Sequence, residues 1–347
     1  MITPAKRAAR NDEVLVEVQD LKKYFPVQTG LLDTLFTQKV EFVRAVDGVS
    51  FKIHTGEVFG LAGESGSGKT TIGRLVLGLE KPTEGKVFFN EIDLTSLEPH
   101  ELRGMRSMMQ VIFQDPMASL NPRMTIGEAV GHGLKIHDLG NAAEIREKTN
   151  QILEKVGLSP STFFFNKYPH QISGGQRQRV VIARALVTNP ILVLADEPIA
   201  MADVSVRALL LDLMIKLKNE LELTYLFITH DLATAKYICD RIGILYLGKF
   251  AEVGELREVY GTPLHPYTQA LLAAVPVPDP VARRTQEMPE GEIPNPINPP
   301  SGCRFHPRCP IAEARCSQEE PELRELRPDH LVACHFACLL YTSDAAD

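Results

Sequence analysis

The 347-residue sequence has no run approaching the roughly 18–20 consecutive apolar residues that a membrane-spanning helix needs. Apolar stretches such as 191–195 and 225–228 have the length of buried strands. The basic N-terminus, Met1 to Arg10, leads into no hydrophobic segment, so no secretory leader is expected and the chain should stay in the cytosol. A basic excess is missing as well. Lys and Arg number 37 against 44 Asp and Glu, a net charge of −7, which disfavours general nucleic-acid binding. There is no internal repeat and no heptad run, so one catalytic module is expected. Cysteine is almost absent before residue 300: Cys239 stands alone in an apolar run and reads as a buried core thiol.

What is present is the balance of a globular protein, 44% hydrophobic and 23% charged. Strand-like apolar runs at 58–62, 87–89, 111–113, 191–195, 226–229 and 242–247 alternate with helix-length segments, which predicts α/β layers around a largely parallel sheet. Residues from about Asp115 to Val187 are mostly helical in periodicity, with Ala142–Val156 an amphipathic helix, and read as a helical subdomain inserted into the sheet. Half of the 24 prolines lie between Pro263 and Pro310, a stretch that reads as an extended linker or wrapped arm.

Gly63, Glu64, Ser65, Gly66, Ser67, Gly68, Lys69 and Thr70 fit the pattern G-x-x-x-x-G-K-[ST], with Thr71 opening a helix-like run to Leu79 and a strand-like run, Val58–Ala62, ahead of the loop. That context lets backbone N–H groups close around phosphate oxygens at a helix N-terminus. Lys69 would reach the β- and γ-phosphates, and the Thr70 hydroxyl would ligate Mg2+. The run Ile191–Ala195 is followed by Asp196 and Glu197 at the C-terminal end of a strand, the edge at which open α/β sheets bind ligands. Asp196 can hold Mg2+ through water, and Glu197 can polarise an attacking water. Ser173, Gly174, Gly175 and Gln176 precede another helix-like run. Ser173 is a good N-cap and the glycines expose backbone donors, which makes either an ordinary capped helix or a second anion site facing ATP held by another chain.

These residues resemble the motif set of ABC-type ATPases. Ser173 to Gln176 is similar to the family's signature motif, with Ile172 where Leu is commoner. By the same resemblance, Tyr24 would stack on adenine, Gln114 would sense Mg2+ and water beside the surface that docks a membrane partner, His230 would contact the γ-phosphate, and Asp203 occupies the aspartate position of the loop after the catalytic glutamate. One departure is Ala200, where the family commonly carries a serine. The fold implied is a P-loop NTPase nucleotide-binding domain of mixed α/β sheet with an inserted helical subdomain, acting as an ATP hydrolase.

Four of the five remaining cysteines give C-x5-C-x6-C-x17-C: Cys303, Cys309, Cys316 and Cys334. Four thiolates in a chain without an export signal point to zinc or a [4Fe–4S] cluster before disulfides, and the spacing alone separates the two metals poorly. This tail, with Leu264 to Thr268 before it, resembles the C-terminal extension of oligopeptide/dipeptide ABC importer ATPase subunits, which implies a [4Fe–4S] cluster with zinc as the lesser alternative. The insertion 26–42 resembles one of that system's two ATPase subunits. The organisation implied is a disordered segment 1–13, an ATPase domain 14–258, a cysteine-bearing extension 259–338 and a frayed or non-native tail 339–347, with Cys338 outside the pattern. The partners implied are two transmembrane permease subunits, a second, non-identical ATPase subunit and, indirectly, an extracytoplasmic solute-binding protein, on the cytoplasmic face of the inner membrane. The alternative is a non-transport ABC ATPase acting on ribosomes or DNA; two cassettes in one chain or a long coiled coil would mark it, and neither is present.

Overall fold

A computed structural model describes residues 13–27, 41–275 and 291–337. The N-terminal segment, most of the 26–42 insertion, Cys338 and the tail 339–347 therefore lie outside the described residues. In chain order the strands are β1 (Val14–Pro26), β2 (Phe42–His54), β3 (Val58–Ala62), β4 (Glu84–Phe89), β5 (Ile92–Asp93) and β6 (Met109–Ile112). They continue with β7 (Leu192–Asp196), β8 (Thr224–Ile228), β9 (Arg241–Tyr246), β10 (Lys249–Glu255), β11 (Arg324–Arg327) and β12 (His330–Val332). The chain forms two compact units.

The first unit holds 89–228 with two short earlier pieces, 13–16 and 53–58. Its centre is the parallel set β6, β7 and β8. Every residue of β8 and all of β7 but Asp196 are buried, as strands covered on both faces must be. Between Pro116 and Leu186 the chain is helical with no strand. Each long helix there begins where its sequence provides a reciprocal cap: Thr125 with Glu128, Asn141 with Glu144, and Ser173 with Gln176. The amphipathic helix expected at 142–156 spans Ala142–Lys155.

The second unit is discontinuous, made from 17–52, 59–88 and the chain from 229 onward. Here lies the antiparallel part of the mixed sheet. Strands β3 and β9 pair in parallel. Strands β9 with β10, β10 with β12, and β12 with β11 are antiparallel. Strand β1 lies between β2 and β4. It runs antiparallel to both, since Val27 bonds to Glu41 and Thr55 to Glu13 on one side, and Thr83 to Lys22 and Asn90 to Leu15 on the other. Strand β2 offers no long unbroken apolar run. In β2, Val49, Phe51 and Ile53 are buried while their neighbours face outward, the alternation of a half-covered antiparallel strand.

Candidate functional site

In the second unit β3 runs buried into the glycine loop, and the helix Lys69–Val76 starts at its far end. Two glycines make the loop possible. Gly63 has φ +145° and a Cβ there would sit 2.2 Å from the Leu245 carbonyl oxygen; Gly68 has φ +105° and a Cβ would sit 2.2 Å from that of Ala45. Any side chain would push the loop off these neighbours. The Gly248 N–H donates to the Ser67 carbonyl (2.9 Å), fixing the loop from the β9–β10 turn. Lys69 is buried and its ammonium donates to the carbonyls of Gly63 (2.8 Å) and Glu64 (2.9 Å). Ser65 and Gly66 are exposed at the loop tip, and Thr70 and Thr71 are half-buried in the first helical turn.

Tyr24 is half-buried beside this loop's unit core, with the Arg44 guanidinium 5.9 Å from its ring centre. Its hydroxyl donates to the Asp47 carboxylate. Burial, then that hydrogen bond, push the Tyr24 phenol up to about 12. Burial works against the Asp47 carboxylate, but the bond from Tyr24 and the charge of Arg304 outweigh it, so its pKa ends below the ordinary value. His230 is exposed, just ahead of Asp231, which caps the Leu232–Ile238 helix.

In the first unit β7 delivers Asp196 and Glu197 to its C-terminal end. Glu197 has φ +47°, a left-handed conformation that a non-glycine residue adopts at a cost of about 1–3 kcal/mol and that clusters at functional sites. Its N–H donates to the Ile228 carbonyl (3.0 Å), which ties the strained residue to β8. The Gln114 amide donates to the Glu197 carboxylate (2.8 Å), so two residues 83 positions apart, singled out separately, meet. Phe113 and Met117, flanking Gln114, are exposed at 40% and 55%, a costly display for large apolar side chains.

Ser173 caps the Gly174–Leu186 helix: its Oγ accepts from the Gln176 N–H (3.3 Å), and the Gln176 side chain accepts from the Ser173 N–H (3.0 Å). The capped-helix reading is thus realised, while Ser173 and Gly174 remain exposed and Gly175 and Gln176 half-buried, leaving the helix N-terminus open to an anion. Gln178 on the same helix donates to the Pro198 carbonyl, coupling the helix to the segment after Glu197. Asp203 sits exposed at the start of the Val204–Leu221 helix.

Cys303, Cys309, Cys316 and Cys334 line one small pocket together with His265 and His306. None of them is in a disulfide. Burial, then the neighbouring thiols, push Cys303 up to about 12 and Cys309 to about 11, and Cys334 moves the same way. Among the described residues no three His, Cys, Asp or Glu side chains are drawn together as the ligand set of a metal ion. Cys239 is buried, as expected of a core thiol.

Sequence reasoning missed Arg304 and Arg308. Both are buried, and they pair with Asp47 and Glu64, residues 257 and 244 positions earlier. The available signal was two arginines inside the C-x5-C interval, a place where surface charge has no reason to be.

Residues 46–200 match the family model described as ABC transporter, and residues 251–316 match that described as oligopeptide/dipeptide transporter, C-terminal region. The chain is 48% identical over 330 residues to the oligopeptide transport ATP-binding protein AppF of Bacillus subtilis (strain 168), covering 94% of this chain and 98% of that protein. It is 46% identical over 325 residues to the oligopeptide transport ATP-binding protein OppF of Escherichia coli (strain K12), covering 93% and 96%. Among solved structures it resembles the dimeric post-hydrolysis state of the ATP-binding cassette MJ0796 bound to ADP and Pi, with TM-score 0.60, 32% identity, and coverage of 70% of this chain and 99% of that one.

Proposed function

The chain belongs to the ATP-binding subunits of oligopeptide ABC transporters, and from that premise we propose the role of each site residue in powering peptide uptake. The protein hydrolyses ATP, pairs with another ATP-binding module and works with transmembrane permeases. The observation that carries the site reading is the glycine loop, whose path against Leu245 and Ala45 leaves its tip exposed and Lys69 buried beneath.

In this reading Gly63 to Thr71 cradle the phosphates, Lys69 neutralises the β- and γ-phosphates, and Tyr24 stacks on adenine. Thr70, Asp196 and Gln114 offer the hard oxygen donors that suit Mg2+, and the ion supplies charge neutralisation on the phosphates. Glu197 accepts a proton as the water oxygen bonds to the γ-phosphorus and the bond to the bridging oxygen breaks, giving ADP and phosphate. The amide of Gln114 holds the Glu197 carboxylate (2.8 Å) in place for that transfer. His230 contacts the γ-phosphate. Ser173, Gly174, Gly175 and Gln176, with Asp203, complete the ATP site of the opposing module, and Ala200 removes one hydroxyl from that contact. The second module is a homologous, non-identical ATPase subunit, and a solute-binding protein delivers the peptide outside.

No helix among the described residues is long and apolar enough to cross a membrane. Attachment to the cytoplasmic face of the inner membrane runs through the permeases, with Phe113 and Met117 offering apolar surface beside Gln114. We assign 14–258 as the ATPase domain and 259–338 as the extension. Cys303, Cys309, Cys316 and Cys334 hold a [4Fe–4S] cluster, with zinc the lesser alternative. Support comes from four free thiols lining one pocket, Cys316 and Cys334 buried and Cys303 and Cys309 half-buried. Iron and sulfide analysis of the anaerobically purified chain, beside Cys316→Ser, tests this; zinc in place of iron would reverse the assignment.

The whole reading is tested by capturing tagged Glu197→Gln chain from native membranes in the presence of ATP and identifying what co-purifies. Multispanning permeases and a second ATPase are expected. Ribosomal or DNA-repair proteins with no membrane protein would favour the alternative instead.

A further inference from the structure

The Cys303–Cys309 turn does more than present thiols. It is a tight local structure: the His306 N–H donates to the Cys303 carbonyl (3.0 Å), the Arg308 N–H to that of Phe305 (2.9 Å), and the Cys303 N–H to that of Cys316 (2.8 Å). Phe305 is buried against Tyr246 and Tyr267, with ring centres 5.3 Å from each. The turn therefore has little freedom of its own, and its two arginines project from a fixed base.

Arg308 grips Glu64 with both terminal nitrogens, Nη1 to Oε2 at 2.9 Å and Nη2 to Oε1 at 3.2 Å. This is the two-point geometry that only a guanidinium supplies. The side chains are 6% and 20% exposed, so water screens the pair weakly. Glu64 directly follows Gly63 in the glycine loop. Its N–H donates to the Tyr267 hydroxyl (2.9 Å) and its carbonyl accepts from Lys69 (2.9 Å). All three polar groups of one loop residue are thus held, two of them by residues beyond position 260. Arg304 acts in parallel: it donates to the Leu247 carbonyl and to the Asp47 carboxylate, which also receives the Tyr24 hydroxyl. One cysteine-bracketed turn reaches both the phosphate loop and the aromatic ring assigned to adenine.

We propose that Arg308 and Arg304 are positioning residues for the nucleotide: through Glu64 and Asp47 they hold the loop and Tyr24 in the ATP-receiving geometry, so the cysteine-bracketed turn sets ATP affinity. The proposal rests on the assignment of Gly63–Thr70 as the ATP loop. A merely structural staple would make the same contacts but would touch stability alone.

The test measures, on the full chain, the Kd of a fluorescent ATP analogue, KM and kcat for ATP hydrolysis, and Tm. Arg308→Ala should raise Kd and KM about five- to tenfold while kcat stays within about twofold, the size expected from losing one charge-assisted, two-point pair. Arg308→Lys should recover only part of the loss, because an ammonium makes a single-point contact. Glu64→Gln should reproduce the effect, and the double variant should bind no more weakly than Arg308→Ala alone. A lowered Tm with unchanged Kd and KM in Arg308→Ala would leave a staple and sink the proposal. If Arg308→Ala does not fold, Glu64→Gln decides: unchanged ATP affinity there would also sink it. A Lys69→Ala chain that binds ATP as tightly as the parent would overturn the loop assignment itself, a distinct failure that takes the proposal with it.

Discussion

The unit containing β7 and the unit containing the glycine loop are built by opposite strategies. The first is nearly continuous in sequence, 89–228, with parallel buried strands and self-capped helices, and its key contact, Gln114 to Glu197, joins two recognisable motifs. The second is sewn from three stretches, and its decisive contacts are polar side-chain pairs that close loops of 78, 244 and 257 residues: Glu252 with His330, Glu64 with Arg308, and Asp47 with Arg304. Loop-closure entropy grows slowly with length, so such distant pairs are thermodynamically accessible. They are simply invisible along the sequence. The continuous unit advertises its chemistry, whereas the discontinuous one hides the residues that hold its chemistry in place.

The sharpest way to sharpen this contrast is at the two ends of the scale. Glu197→Gln should retain ATP binding and lower phosphate release by about 10²- to 10⁴-fold, the contribution of a positioned general base. Turnover near the parent rate would remove Glu197 from that role. At the β10–β12 seam of the discontinuous unit the effect should instead appear as stability. Glu252 is fully buried and accepts from the Leu264 N–H (2.8 Å), the His265 N–H (2.9 Å) and His330 Nε2 (2.7 Å). Glu252→Ala would strand all three donors in the interior and should cost about 3–5 kcal/mol in denaturant unfolding, as for a broken buried pair. A loss below 1 kcal/mol would mean that the antiparallel β10–β12 seam stands without this knot.

Smaller effects follow at the capped helix. Ser173→Ala removes the acceptor for the Gln176 N–H and should destabilise by about 1 kcal/mol, with ATP hydrolysis by the paired modules falling further than that cap loss explains if Ser173 also faces ATP. Stability loss with undiminished hydrolysis would leave Ser173 a cap alone. At the bottom of the scale, Lys216→Ala breaks an exposed pair with Glu220 (3.7 Å) and should change unfolding free energy by less than about 0.5 kcal/mol.

The legible part of the fold was the part with strong local signals. Val58–Ala62 and Ala142–Lys155 were found within a residue of their observed ends, because a fully buried strand and an amphipathic helix write their periods directly into the chain. Strands β1, β2 and β10 were missed. In β2 apolar and polar residues alternate, and in β10 the buried Glu252 interrupts an otherwise apolar run. The carboxylate is tolerated there only because three donors converge on it, a fact of tertiary structure. The same holds for the site: Lys69, Asp196 and Glu197 could be named from spacing, but neither the left-handed backbone of Glu197 nor the grip of Arg308 on Glu64 could.

By itself, then, the sequence determined where the glycine loop and the strand-end carboxylates lie, because a loop before a helix and acidic residues at a strand's end are written in local spacing. It also placed four thiols in one tail. Only the tertiary structure decided that those thiols share a pocket, which strands pair antiparallel, and that the cysteine-bracketed turn clasps the glycine loop. The reason is physical. A motif is written by neighbours along the chain, but an ion pair across more than two hundred residues exists only once burial has brought its halves together and stripped them of water.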